Sequence, residues 1–270
     1  MAYTEWGDAD NPKVLVCVHG LTRVGADFDE LAEAMSDHYR VVCPDVVGRG
    51  NSDWLPDGML YQTPVYVADM VTLLARLDAK TLHWFGTSMG GLIGMGLASM
   101  ANSPIKRMVL NDVGPVVTAV SLARIGSYVG KAMHFESIEA AETYIRTVAA
   151  SFGASSDAQW RKLTMDVIRP DDQGGYRLHY DPKLGDAFRG TLAASAKDVV
   201  LWDYYDRISC PVLSVRGEQS DLLTVETHRE MSERGPRAKL ATIPRVGHAP
   251  MFVTGDQISV ARDFLLEVSQ

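Results

Sequence analysis

Residues 81–100 read TLHWFGTSMGGLIGMGLASM. The first six form a strand-like apolar run, and Met89 to Ala101 carry a helical pattern, so the polar Ser88 falls where the two meet. It stands between Gly86 and Gly90 in the form G-x-S-x-G. A strand that turns into a helix over so few residues strains its backbone and brings the two elements closer than a Cβ allows. Flanking glycines accommodate that approach. The helix extends the pattern, with Gly90, Gly94 and Ala98 at i, i+4 and i+8 as a smooth stripe for packing on a sheet. Such a bend lifts a hydroxyl above the sheet edge, beside the N–H groups and positive dipole end of the helix. A serine before a helix can also be a simple N-cap. A cap needs no glycine on either side, so the pattern favours Ser88 as a nucleophile.

A serine hydroxyl is a poor nucleophile without a base, and the base must itself be oriented. His248 in RVGHAPMF lies just past the strand-like AKLATIP (Ala238 to Pro244), on a short loop before the last helix. Asp221 in VRGEQSDLL follows the strand CPVLSVRG (Cys210 to Gly217) in the same way. Ser88, Asp221 and His248 occur in the chain order expected for this elbow. Asp112, at the end of KRMVLND (Lys106 to Asp112), also ends a strand and is the rival acid. The remaining histidines fit less well: His83 is inside a strand, His38 and His228 are on helices, and His134 and His179 fall in the middle of the chain. An oxyanion needs two donors. Met89, following the nucleophile, supplies one backbone N–H, and Leu21 of His19-Gly20-Leu21, after the strand VLVCVHG, is the candidate for the other. His19 reads as a structural residue that holds this loop.

Short β-branched runs alternate with helical patterns along most of the chain, which predicts a mostly parallel sheet with helices on both faces. The runs are Val14 to Gly20, Arg40 to Asp45, Thr81 to Gly86, Lys106 to Asp112, Cys210 to Gly217 and Ala238 to Pro244. Helices are expected over Asp27 to Ser36, over Pro64 to Leu77 with Val67, Met70, Val71, Leu74 and Leu77 inward, and over Asp256 to Val268. From Gly114 to about Tyr205 the rhythm breaks into a helical, aromatic segment with no strand run. Because strand–helix alternation resumes afterwards, residues 1–114 and 206–270 read as one core domain and residues 115–205 as an inserted helical cap.

The 270 residues are 46% hydrophobic and 22% charged, enough for a large core, and the formal net charge is −8. A negative surface disfavours nucleic acid and anionic membranes as partners. Neither a secretory signal nor a membrane-spanning run is evident, and Cys17, Cys43 and Cys210 sit in apolar runs without CxxC spacing. Buried reduced thiols and a cytoplasmic location are the expectation. No HExxH or paired-cysteine spacing suggests a metal. In VVGRGNSD only Gly48 and Gly50 are in place for a dinucleotide fingerprint, so no cofactor is expected.

Taken together, HGL at His19, PDVVGRGNSD from Pro44, GTSMGG from Gly86, RGEQSDLL from Arg216 and VGHAP from Val246 resemble the α/β-hydrolase superfamily, in its esterase-like branch with an inserted lid. The pieces span most of the chain in the family's order. The resemblance implies a sheet of about eight strands, with the usual first strand expected to be absent and YTEWGD able to form an early edge strand. It makes VVGRGNSD a structural turn near the pocket, with Trp54 at the mouth. The expected activity is serine-dependent cleavage of an ester-like bond in a small, largely apolar molecule. Lactonases, carbon–carbon hydrolases and acyl-transfer or perhydrolase variants use the same triad, and a small-molecule receptor with vestigial hydrolysis is the contrasting class. Oligomeric state is left open.

Overall fold

The computed structural model describes residues 1–153, 156–194 and 197–267, with the side chains of 191–194 excepted. Along the chain come β1 (Tyr3–Trp6), β2 (Lys13–Val18), α1 (Asp29–Met35), β3 (Arg40–Pro44), α2 (Thr63–Leu77), β4 (Thr81–Thr87), α3 (Met89–Ala98) and β5 (Ile105–Asn111). A segment of short elements follows: β6 (Val116–Val117), α4 (Ala119–Gly126), β7 (His134–Phe135), α5 (Ile138–Val148), α6 (Asp157–Met165), β8 (Ile168–Pro170), β9 (Tyr176–Leu178), α7 (Leu184–Ala194), β10 (Val199–Val200) and α8 (Trp202–Tyr205). The chain closes with β11 (Val212–Gly217), α9 (Val225–Glu230), β12 (Lys239–Ile243) and α10 (Gly255–Leu266). Val268, at the expected end of the last helix, lies outside the described residues.

A seven-stranded sheet runs in the order β1-β3-β2-β4-β5-β11-β12. Only β1 is antiparallel to its neighbour; it forms the edge expected for YTEWGD. β2 and β11 are buried almost throughout, as strands covered on both faces must be, and this explains their continuous apolar runs. Alternate residues feed opposite layers. Val14, Val16 and Val18 join Met70 of α2 and Ile93 of α3, while Leu15 and Cys17 join Leu31 of α1 and Phe264 of α10. The three cysteines are free and buried.

The α2 stripe is rotated from the expected one. Its buried face is Tyr66, Met70, Leu73 and Leu77, whereas Val71 is 44% exposed. Tyr66 turns inward because its ring packs on the guanidinium of Arg49, an aromatic role that apolar spacing alone does not reveal.

Between β5 and β11 the helical segment also contains strands, contrary to the reading of an uninterrupted helical run. β6 pairs with β10, and β7-β9-β8 form a second small sheet; none joins the main sheet. At two or three residues each, they carry no periodicity that a sequence window can register, and pairing within the insertion stabilises them. The insertion is fastened to the main sheet's loops at several points. Gly50 N–H donates to His179 O at 2.8 Å, Asp181 N–H to Gly48 O at 2.8 Å, and Gly247 N–H to Ser151 O at 2.8 Å. Among the described residues, no helix is long and apolar enough to cross a membrane.

The sheet order reverses direction between β2 and β4, because β2 leads to β3 on one side and β4 lies on the other. In open parallel sheets the crevice at the carboxyl ends of such a pair is where ligands bind. The loop after β2 and the elbow after β4 both open there. Packing at that junction is tight enough that a Cβ added to Gly94 would lie 2.3 Å from Nε1 of Trp84. Gly94→Ala is expected to cost about 1–3 kcal/mol by overpacking, seen as a melting temperature lower by several degrees in a circular-dichroism scan. A melt superimposable on the parent would show that α3 does not need its smooth face.

Candidate active site

The elbow is set by steric necessity. A Cβ on Gly86 would stand 2.4 Å from Gly90 O, and one on Gly90 would stand 2.0 Å from Val18 O. Neither position tolerates a side chain. Between them Ser88 is forced to φ 51 and ψ −114, a left-handed conformation that costs a non-glycine residue about 1–3 kcal/mol. Its N–H donates to Asn111 O at 3.0 Å, locking the elbow to the end of β5. Although Ser88 occupies the N-cap position of α3, its side chain makes no capping hydrogen bond. The hydroxyl instead lies 3.0 Å from Nε2 of His248.

The other imidazole nitrogen, Nδ1 of His248, lies 2.7 Å from Oδ2 of Asp112. A carboxylate only accepts, so Nδ1–H donates to Asp112 and Nε2 is left to accept from the Ser88 hydroxyl. Asp112 is fully buried, and a carboxylate there needs donors. It has three: His248, the Gly217 N–H on Oδ1 at 2.7 Å and the Ser220 hydroxyl on Oδ2 at 2.6 Å.

The expected pairing of His248 with Asp221 is not formed. Asp221 is 55% exposed at its side chain and makes an ion pair with Arg124 of α4, at 2.6 Å from Nε. The reason lies in strand register. Thr87, Asn111 and Val215 are aligned across β4, β5 and β11, so the residue after Asn111 stands level with Ser88. Asp112 leaves β5 at that point with φ 52, whereas Asp221 is four residues beyond the end of β11. The residue of that loop which does reach the relay is Ser220. Both aspartates follow strands in the sequence, and only the depth of their loops separates them.

The oxyanion candidates lie on either side of Ser88. Gly20 packs close to the Ser88 Cβ, at 3.8 Å from where its own Cβ would be. Among the described residues, the Leu21 N–H finds no acceptor in the protein. In the first turn of α3, Gly90 N–H donates to His19 O and the N–H groups of Gly91 and Leu92 to Ser88 O. Met89 is left with the N–H that a helix start cannot satisfy internally. His19 holds the loop: its Nδ1–H donates to Gly20 O at 2.7 Å and its Nε2 accepts from Val46 N–H at 2.9 Å. The VVGRGNSD loop is likewise knitted by Asp45, which accepts from Gly25 N–H and Asn51 N–H.

A small cavity of about 40 Å³ lies between the loop after β2 and the insertion, and Ser88, Asp112 and His248 are not among its lining residues. Thr22 and Arg23 line it from the β2 loop, and Tyr128, Tyr144, Phe152 and Tyr180 from the insertion. Ile145, Val148, Ala149, Val167 and Leu178 complete the lining. Arg23 is held by Asp27 through a two-pronged ion pair. Trp54 is not part of the lining; its ring packs with the guanidinium groups of Arg169 and Arg177 at 4.7 and 5.4 Å. Among the described residues, no group of three potential metal ligands converges.

Residues 13–254 match the family model described as alpha/beta hydrolase fold. The chain belongs to the α/β-hydrolase family. A 3-hydroxybutyrate-oligomer hydrolase from Cupriavidus necator is 50% identical over 269 residues, covering 98% of this chain and 92% of that protein. The structure of an α/β hydrolase from Novosphingobium aromaticivorans is 34% identical and superposes with a TM-score of 0.87, covering 98% of this chain and 93% of that one. The structure of an E-2-(acetamidomethylene)succinate hydrolase gives a TM-score of 0.84 at 23% identity, over 97% and 94% of the two chains, a likeness of fold. Within this α/β hydrolase, the relay to Asp112 and the Ser220 hydroxyl behind it are the parts that motif spacing does not disclose.

Burial, the largest influence on each, lowers the pKa of both His19 and His83 to about 4 from the ordinary 6.5. Between these values the unfolded chain takes up protons that the native state refuses. Their contribution to stability is complete above pH 6.5 and is lost as the pH falls toward 4. Urea midpoints should therefore decline from pH 7.5 to pH 5, while the imidazole resonances of both residues stay in their neutral positions. A midpoint that rises on acidification would contradict this.

Proposed function

We propose that this α/β hydrolase is a serine-dependent carboxylic ester hydrolase, with short linear 3-hydroxybutyrate oligomers as its substrate class. The observation that carries the reading is the hydrogen-bonded chain from Ser88 Oγ through both nitrogens of His248 to Asp112. A hydroxyl in that chain can pass its proton to Nε2 as it attacks an ester carbonyl carbon, and the imidazolium so formed is stabilised by the buried carboxylate. The carbonyl oxygen gains charge as the tetrahedral intermediate forms, and the N–H groups of Leu21 and Met89 bind it, at roughly 3–4 kcal/mol for each donor. Collapse breaks the ester C–O bond, and Nε2–H returns the proton to the departing alkoxide. Water then repeats the sequence on the acyl-enzyme: it gives a proton to His248, attacks the acyl carbon and releases Ser88 with the carboxylate product.

The substrate class draws on two supports. The 50%-identical relative aligns over nearly the full length of both chains and is a hydrolase of 3-hydroxybutyrate oligomers. A 3-hydroxybutyrate oligomer presents an ester carbonyl in each unit, the group on which a chain from Ser88 through His248 to Asp112 acts. The alcohol and acyl portions are both hydroxy acids, so each cleavage yields a free hydroxyl on one product and a carboxylate on the other.

The test is hydrolysis of purified dimeric and trimeric 3-hydroxybutyrate, followed by monomer release, beside p-nitrophenyl butyrate. Activity on both is expected, with Ser88→Ala reduced to background and a fluorophosphonate probe labelling only the parent at Ser88. Activity on p-nitrophenyl butyrate with none on the oligomers would leave the esterase and remove the substrate class. Equal labelling of parent and Ser88→Ala would remove the nucleophile.

The acid can be tested separately. Asp112→Asn should lower kcat by about 10⁴ by spoiling the tautomer and charge of the relay, whereas Asp221→Asn, altering a half-exposed surface ion pair, should stay within about twofold of the parent. The reverse ranking in steady-state assays would restore Asp221.

A further inference from the structure

Arg49 is fully buried, yet among the described residues no carboxylate lies within ion-pair distance of it. Enclosing a guanidinium without a counter-ion is unfavourable, and burial lowers its pKa accordingly. Its partners are all formally neutral. Nε–H donates to Leu21 O at 2.8 Å, Nη1–H donates to Val47 O at 2.7 Å, and Nη2 lies 3.4 Å from the sulfur of Met89. The rings of Tyr66 and Tyr61 lie 4.9 and 5.8 Å from the guanidinium carbon. A carboxylate enters only one side chain further out, where the Tyr61 hydroxyl donates to Asp181 of the insertion at 2.6 Å. The positive charge is thus dispersed over π faces and dipoles without being neutralised.

The identity of those partners matters. Leu21, on the loop after β2, and Met89, at the start of α3, are far apart in the chain, and their N–H groups are the two assigned above to the oxyanion. One guanidinium touches both residues: the Leu21 carbonyl and the Met89 side chain. We propose that Arg49 is the positioning residue of the oxyanion hole, clamping Leu21 and Met89 at a fixed separation and biasing the site toward negative charge. The assignment rests on the ester-hydrolase reading. Its consequence is differential: a fixed donor pair and a nearby uncompensated cation favour the charged intermediate over the neutral ester, so removing them lowers kcat more than it raises KM. A purely structural arginine would instead loosen the loop and weaken ground-state and transition-state binding alike.

The experiment compares Arg49→Lys, Arg49→Gln and Met89→Leu with the parent enzyme. For each, kcat and KM are measured on p-nitrophenyl butyrate. Inhibition by an alkyl trifluoromethyl ketone, which becomes an oxyanion on Ser88, is set against inhibition by the corresponding methyl ketone. Arg49→Gln should lose about 10² or more in kcat with KM within about threefold, and should lose affinity for the trifluoromethyl ketone in proportion while the methyl ketone is unaffected. Arg49→Lys, which keeps the charge but not the fork, should recover part of both losses. Met89→Leu keeps the backbone donor and the volume, removes only the sulfur contact, and should fall by about threefold in kcat. It serves as the decisive variant if Arg49→Gln does not fold. An unchanged ratio of the two ketone affinities in the Arg49 variants, or in Met89→Leu, overturns the assignment even where activity drops. A parent enzyme with no Ser88-dependent ester hydrolysis would overturn the ester-hydrolase reading itself, and the role of Arg49 with it.

Discussion

The structure depends on how closely three backbones meet where β4 becomes α3. Val18 O of β2, the Gly86 peptide of β4 and the Gly90 peptide of α3 approach so nearly that no Cβ fits at either glycine. That contact places the helix start over the carboxyl ends of β2 and β4, at the point where the sheet order reverses. It also leaves Ser88 a single option, a left-handed backbone that turns its hydroxyl outward from the sheet. Strain at one residue is sustained because burial on both faces of the sheet over-determines the position of every atom around it. The apolar layers are therefore part of the site, since they hold the serine where it would not otherwise rest.

From that fixed point, parallel register does the rest. β5 lies beside β4 and β11 lies beside β5, so the ends of the three strands are level. Asp112 and Gly217 sit at those ends, and the loop after β12 returns His248 across them. Asn111 reinforces the arrangement by donating to both Thr87 and Pro250 O, joining the elbow strand to the loop of the imidazole. The two nitrogens of His248 then face groups carried by adjacent strands. Orientation of the imidazole thus follows from the spacing of the strands together with the hydrogen bonds that hold its loop.

Most of the framework is legible from short patterns because its causes are local. Six strand runs and the elbow are written in consecutive residues, and G-x-S-x-G together with a histidine after the last strand names two members of the relay. The acid is different. Asp112 and Asp221 share the same sequence context, a carboxylate after a strand, and the choice between them depends on which one lies level with Ser88 across two neighbouring strands. No window of sequence contains that information. Arg49 is illegible for a related reason: within VVGRGNSD it looks like a turn residue, and its importance arises only when Leu21 and Met89 converge on it from elsewhere. The strands of the insertion are too short to show a period, and Tyr66 is drawn inward by a cation that the apolar pattern of α2 does not encode.

Ser151, in the insertion, donates its hydroxyl to His248 O at 2.7 Å and accepts from the Gly247 N–H through its own carbonyl. The backbone bearing the imidazole is thus moored to the insertion. A graft that replaced this segment wholesale would also cut the mooring of His248. Any replacement segment would have to offer another hydroxyl and carbonyl at this one spot to keep the imidazole's backbone where it is.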